Sequence, residues 1–292
     1  MRTTVALLSA ACLAATGLAT AAGTVVTVVQ DPATLLRSAG RFSLAEGVRL
    51  QAGDAVEVGD GGLVQMGFAD GARLSLGPRS RVYLAVLPEG GNGAPARGAR
   101  GPAVWHLYLL HGWAKLAQAR PAAPLRLAAP LFELTAGDAI AVLNVQRAEA
   151  SLFVEKGELR ITEALAKAST PGAITLRAGQ FYARKADHKG VIQPRPAPAF
   201  VAAMPAQYQD NLPTRLPDFQ DREVAPRRLG DLAYADVEPW LKGPPELRRQ
   251  VMQRLRMRAR DPAFRQALIA NMPFHPEWNR ILFPGKHKPK AP

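Results

Sequence analysis

Chemistry in this chain would have to be built from five histidines, one cysteine and scattered carboxylates. His106 and His111 lie nearest each other, but five apart on a strand they point to opposite faces and make no metal pair. His188, His275 and His287 stand in a turn, before a proline and in a basic tail. Cys12 falls in an apolar leader, so the mature chain offers no thiolate for catalysis or zinc. HExxH, GxSxG and Walker patterns are missing. Glu133 and Asp138, flanking an expected corner at Gly137, are the one carboxylate pair on which a hydrolase could be drawn. These residues predict a protein that is not an enzyme, with no cofactor and no metal; a hydrolase is the weakest reading.

The strongest polar feature is a basic helix. Pro244-Pro245-Glu246 is a helix start, with proline in the first turn and Glu246 at the positive end. Leu247, Val251 and Leu255 then share one face, and Arg248, Arg249, Arg254, Arg256, Arg258 and Arg260 cover the rest. This arginine set is the predicted binding surface for an anionic partner: a lipid surface, an anionic envelope polymer or an acidic envelope protein. The plainer alternative packs the stripe on neighbouring helices and leaves the arginines solvated. The whole chain leans the same way, with 37 Lys and Arg against 24 Asp and Glu, a net +13.

The elements that position these residues change character along the 292-residue chain. Val5 to Leu18 is an apolar run after Arg2, and Ala19-Thr20-Ala21 fits a small-x-small cleavage site. Residues 1–22 are therefore expected to be a signal peptide, giving a soluble periplasmic product and arguing against nucleic acid. Lipidation at Cys12 is disfavoured, because Ser9 stands where a lipobox has Leu. No later apolar run reaches the ~18 residues of a transmembrane helix.

Residues 23–192 read as one β domain. Gly23–Gln30 is a β-branched strand, and Pro32–Arg41 a short connector with one helical turn at most. From Gly47 to Leu84 apolar residues alternate in bursts: Val48 and Leu50, Val56 and Val58, Val64, Met66 and Phe68, Leu74 and Leu76, Val82 and Leu84. Gly53-Asp54 and Asp70-Gly71 are the β-corner motifs between bursts. Glu89–Pro102 is a Gly- and Arg-rich insertion. Alternation resumes from Val104 to Thr162, with Lys156-Gly157 as a tight turn. Many short strands with glycine corners predict a mainly β fold, either coiled and solenoid-like or a rolled sandwich. Residues 193–217 read as a Pro-rich linker and 218–284 as a small helical region. Its elements are expected near 234–241, from 245, from 262 with Asp261 as N-cap, and at 276–282. Residues 285–292 read as a disordered basic tail. Trp105, Trp113, Trp240 and Trp278 are expected in the core or at a sheet edge.

The β pattern resembles the FecR domain family of bacterial envelope proteins. The likeness rests on Gly47-Val48, on the Leu50-x-x-Gly53-Asp54-x-Val56 corner, and on Gly62-x-Val64-x-Met66-x-Phe68-x-Asp70-Gly71-x-x-Leu74-x-Leu76-x-Pro78-x-Ser80-x-Val82. Val154-Glu155-Lys156-Gly157-Glu158-Leu159 adds a later strand, so the FecR-like core spans about residues 40–162. The resemblance implies a β-helix-like periplasmic module of the kind that relays a receptor's state to a sigma factor. Family signallers carry an anti-sigma segment and a membrane helix where this chain has a leader. Ala129-Pro130 and Gly137-Asp138 stand where Thr-Pro and Gly-Thr are common. The expected function is a non-catalytic periplasmic interaction protein docking on an envelope component or partner protein. The alternative is a soluble regulatory component of an envelope or metal-status signalling system.

Overall fold

An alternating strand buries one face and must cover the other or leave it wet. In this chain most strands are covered on both faces. The computed structural model describes residues 23–85, 107–118, 124–164, 172–210, 213–219 and 221–284. His106, Trp105, Cys12, His287, the Glu89–Pro102 insertion, the leader and the basic tail lie outside these residues.

The strands are β1 (Val25–Gln30), β2 (Ala33–Arg37), β3 (Gly40–Ser43), β4 (Ala55–Val58), β5 (Leu63–Gly67), β6 (Arg73–Leu76) and β7 (Arg81–Leu84). Three long strands follow, β8 (Leu107–Gln118), β10 (Phe132–Val145) and β11 (Glu149–Glu163), with the short β9 (Leu125–Ala128) between the first two. The sheet ends with β12 (Ala173–Arg177), β13 (Phe181–Lys185), β14 (Val191–Gln193) and, much later, β15 (Arg227–Asp231).

The long strands divide the sheet into two branches. The 112–118 half of β8 pairs with β6 and with the 139–145 half of β10, while its 107–111 half pairs with β7. The near half of β11 pairs with β13 and its far half with β12. One branch therefore carries β1, β5, β6, β13 and β14, and the other β15, β3, β2, β4, β7, β9 and β12. Irregularities mark each crossing. Gly112 and Gly157 sit at φ 101° and 74°, and β10 slips register between Ala136 and Ala139. Gly157 has no alternative, since a Cβ there would lie 1.9 Å from the Asp138 carbonyl oxygen. The expected turn at Lys156-Gly157 is thus a bend within one continuous strand.

Every alternating apolar residue named between Val48 and Leu84 joins a single buried cluster. Residues of both branches meet in it, for example Met66 and Leu74 from one and Leu35 and Val56 from the other. The fold is mainly β with a small C-terminal helical region. Among the described residues all strand pairings are antiparallel except β8 with β9, whereas stacked solenoid coils pair in parallel; the expected solenoid-like coiling is not a feature of these pairings. Pro32–Arg41 is also corrected: it holds β2 and the start of a hairpin to β3, turning at Ser38 with φ 54°.

Each branch has a covered outer face. On the first, α1 (Pro198–Ala203) and the turn at Ala206–Tyr208 bring Phe200 and Tyr208 onto Leu63, Val142 and Phe181. On the second, α2 (Tyr234–Leu241), α3 (Pro245–Leu255), α4 (Pro262–Ala270) and α5 (Asn279–Leu282) share a core with Leu36, Ala55, Tyr83 and Tyr108. Asp261 caps α4 by accepting from the Phe264 amide at 2.9 Å. Before these helices the region adds β15 to the sheet edge beside β3.

Candidate functional site

Register places side chains of the second branch in rows across β2, β4, β7 and β8. Leu35, Val56, Val82 and Leu109 form an inner row in the main core. On the outer face Leu36, Ala55, Tyr83 and Tyr108 form an apolar row, and the helices lie on it. Two positions along each of β2, β4 and β7, the same face carries Thr34, Glu57 and Arg81. The irregularity between Arg81 and Val82 brings His111 to the end of this row.

This polar row floors an open cleft of about 350 Å³, walled by Pro32, Val58, Gly59, Asp60 and Arg79. Glu57 pairs with Arg81 at 3.2 Å and accepts from the Trp240 indole N–H at 3.1 Å. Burial pushes its carboxyl above the ordinary range, against the pull of Arg81 and the Trp240 bond. His111 Nδ1 lies 3.2 Å from the Arg79 carbonyl oxygen. The N–H is then on Nδ1, and Nε2 is the free acceptor. Arg79 stands at φ 55°, a left-handed conformation that costs energy for a residue with a Cβ, and its own amide donates to Gly59 O at 3.0 Å.

The β-corner residues are structural. Asp54 is buried and accepts from Arg37 Nε and Nη2 at 2.9 and 2.6 Å and from the Gln51 amide at 2.8 Å. Gly53 has φ 91°. Asp70 accepts from the Ala72 amide at 3.0 Å and closes the turn at Gly71, φ 83°.

The six arginines divide into two sets. Arg248 pairs with Glu277 at 2.6 Å and donates to Gly243 O, so it ties the end of α2 to the 276–278 turn. Arg258 donates to Leu232 O at 2.7 Å and pairs with Asp261 at 3.2 Å. Arg254 lies over Gly53, where a Cβ would sit 2.4 Å from its Nε. Tyr83 beneath is raised in pKa by burial, opposed by the charge and hydrogen bond of Arg254. Arg248 and Arg258 hold the helical region together, and Arg254, itself exposed, lies against the sheet at Gly53 and Tyr83. Arg249, Arg256 and Arg260 are exposed; Arg249 has only a 3.7 Å surface pair with Glu246, and the other two have no partner among the described residues.

Glu133 and Asp138 do not meet at a corner. β10 runs unbroken through both, and five residues of strand span roughly 16 Å. Glu133 is half-buried opposite Ala128 and Thr162, and Asp138 is exposed at the register slip. His188 sits in the turn before β14, while His275 is fully buried under the helices. No group of three or more His, Cys, Asp or Glu side chains that could hold a metal ion occurs among the described residues. No helix there is long and apolar enough to cross a membrane.

No family model and no curated protein matches the chain. Among solved structures, two crystal structures described as a "putative anti-sigma factor" from Parabacteroides distasonis ATCC 8503 are similar to it at 10% identity. Their TM-scores are 0.39 and 0.37, and the match covers 51% of this chain and 63% and 62% of theirs. The chain thus spans less than two thirds of those structures, and a likeness this slight fixes neither fold nor role.

Sequence reasoning missed the polar row. Its members come from four strands and become neighbours only through register. The local signal was a charged residue between buried apolar ones, Glu57 between Val56 and Val58, which every half-exposed strand shows.

Proposed function

We propose that this chain is an exported, non-catalytic interaction protein: a FecR-like β module carrying a helical lobe that docks on an anionic envelope component or an acidic partner protein. The observation that carries the reading is the division of the arginines. Arg248 and Arg258 are consumed in holding the lobe and Arg254 lies against Gly53, whereas Arg249, Arg256 and Arg260 face solvent without a strong partner. From Tyr234 to Pro284 the helices carry nine Lys and Arg against five Asp and Glu. Met257, between Arg256 and Arg258, is 61% exposed, which adds an apolar contact amid the charge. The FecR-like assignment rests on the motif run, whose apolar positions form the main core.

Crosslinking in intact cells tests this. The wild-type chain is expected to recover a defined anionic partner, polymer or lipid, and the Arg249→Gln/Arg256→Gln/Arg260→Gln variant to lose it while staying folded. Equal recovery by both would refute lobe docking. The same motif run motivates a second reading, a soluble component of an envelope or metal-status signalling system; an unchanged envelope transcriptome in a deletion strain would remove it.

A further inference from the structure

We propose that the cleft over Thr34, Glu57, Arg81 and His111 is a binding site for a small zwitterion, an amino acid or short peptide with a free amine and a free carboxylate. Its volume, about 350 Å³, is at the small end of ligand sites, which run from about 300 to 1,000 Å³. The groups on its floor already satisfy one another: Glu57 is held by Arg81 and Trp240. The groups on its wall do not. Arg79 and Asp60 both line the cleft, one cationic and one anionic, and neither side chain has a partner among the described residues.

The two sit on adjoining turns. The Arg79 amide donates to Gly59 O, so the backbone beside Arg79 is fixed against the backbone beside Asp60. Yet no ion pair within 4.0 Å joins the side chains. The fold places a positive and a negative group on the wall of one cleft and leaves both exposed. A ligand with both charges matches that pair: its carboxylate meets the Arg79 guanidinium and its ammonium meets the Asp60 carboxylate. A simple anion would also face Glu57 and Asp60, and a simple cation would face Arg79 and Arg81, so each is disfavoured by like charge.

Two further details favour a built site. The left-handed Arg79 backbone is retained at an exposed position where glycine would relieve it, and such strain concentrates at functional positions. His111 is oriented by the Arg79 carbonyl, and its Nε2 can accept from a ligand amine or amide N–H.

This site is independent of docking through the lobe, because Arg249, Arg256 and Arg260 do not line the cleft; either claim can fail alone. The test is titration of the full mature chain with triglycine, followed by calorimetry and by the indole N–H resonance of Trp240, which bonds Glu57. Saturable binding is expected, weaker by about tenfold or more when the carboxyl is amidated or the amine acetylated, since each loses a charge-assisted contact. Arg79→Gln should reproduce the amide result on the protein side and Asp60→Asn the acetyl result, with unfolding midpoints unchanged. No saturable binding overturns the proposal. So does equal binding of triglycine and its amide, or acetate binding as tightly as triglycine, which would mark an anion site only.

Discussion

Each branch of the sheet carries a polar row on its outer face, and the two rows meet different fates. On the first branch Gln65, Ser75 and Lys115 lie side by side across β5, β6 and β8. The Tyr208–Asp210 segment covers them. Lys115 Nζ donates to Tyr208 O at 2.6 Å and pairs with Glu155 at 2.9 Å, and Tyr208 Oη donates to Ser75 O at 2.8 Å. On the second branch Thr34, Glu57, Arg81 and His111 floor an open cleft beside the helices, and Arg79 and Asp60 on its wall have no side-chain partner among the described residues. The helical cover stops at the apolar row, with Trp240 at the boundary, reaching Glu57 with its N–H and the core with its rings. A buried polar group needs a partner inside the protein, and Lys115 has several; an open one keeps its capacity for a partner from outside.

The largest effect is expected at the boundary. Trp240→Ala removes a ring that is 1% exposed and should cost about 3–5 kcal/mol in denaturant unfolding. A value below about 1 kcal/mol would mean that the helices do not seal the apolar row. Next is the covered row. Lys115→Met leaves the Tyr208 carbonyl without its donor and should cost about 1–3 kcal/mol. Amide exchange at residues 206–210 should rise more than exchange in α3. The wall of the open cleft should respond with the opposite sign. Arg79→Gly relieves a left-handed backbone and should leave stability equal or up to about 1 kcal/mol higher.

The smallest effect is in pH, where a buried group of the helical lobe and one of the polar row beneath it slope in opposite directions. His275 lies fully buried beside Tyr234, at 3.1 Å from its hydroxyl. Burial pushes Tyr234 up to about 12, so it stays a donor, and burial pushes His275 below its ordinary 6.5. A depressed pKa gives stability that is complete above the unfolded value and is lost as pH falls through the folded one. Glu57 is raised, so its contribution is complete below about 4.5 and is lost as pH rises through its folded pKa. His275→Gln should therefore flatten the acid side of the stability profile near pH 6, and Glu57→Gln the slope above pH 4.5, both read by thermal unfolding. The same slopes in both variants and the parent would sever these groups from stability.

Much of the fold was legible in the sequence because alternation tracks burial. From Val48 to Leu84 the pattern identified the core side chains, and proline, Glu246 and Asp261 located the starts of α3 and α4. It failed where that link is broken. β2 buries Leu35 on one face and Leu36 on the other, so no period of two survives. β15 is exposed along most of its length and is a strand only because β3 offers it an edge. Residues 193–217 read as a linker, yet Phe200 and Tyr208 are buried there, a matter of tertiary packing that composition does not carry. Of the candidate site, the arginines were visible but their direction was not: Arg254 and Arg256 look alike in sequence, and Gly53 decides between them.

The proposed division of the arginines, some engaged within the fold and others free to meet a partner, is tested most directly by capture. The measurement is partner capture from intact cells by the Arg249→Gln/Arg256→Gln/Arg260→Gln chain, with its unfolding free energy taken alongside. The variant is expected to unfold with a free energy within about 0.5 kcal/mol of the parent, as for solvent-facing substitutions, and to lose capture. Capture retained at the parental level by that folded variant would contradict it.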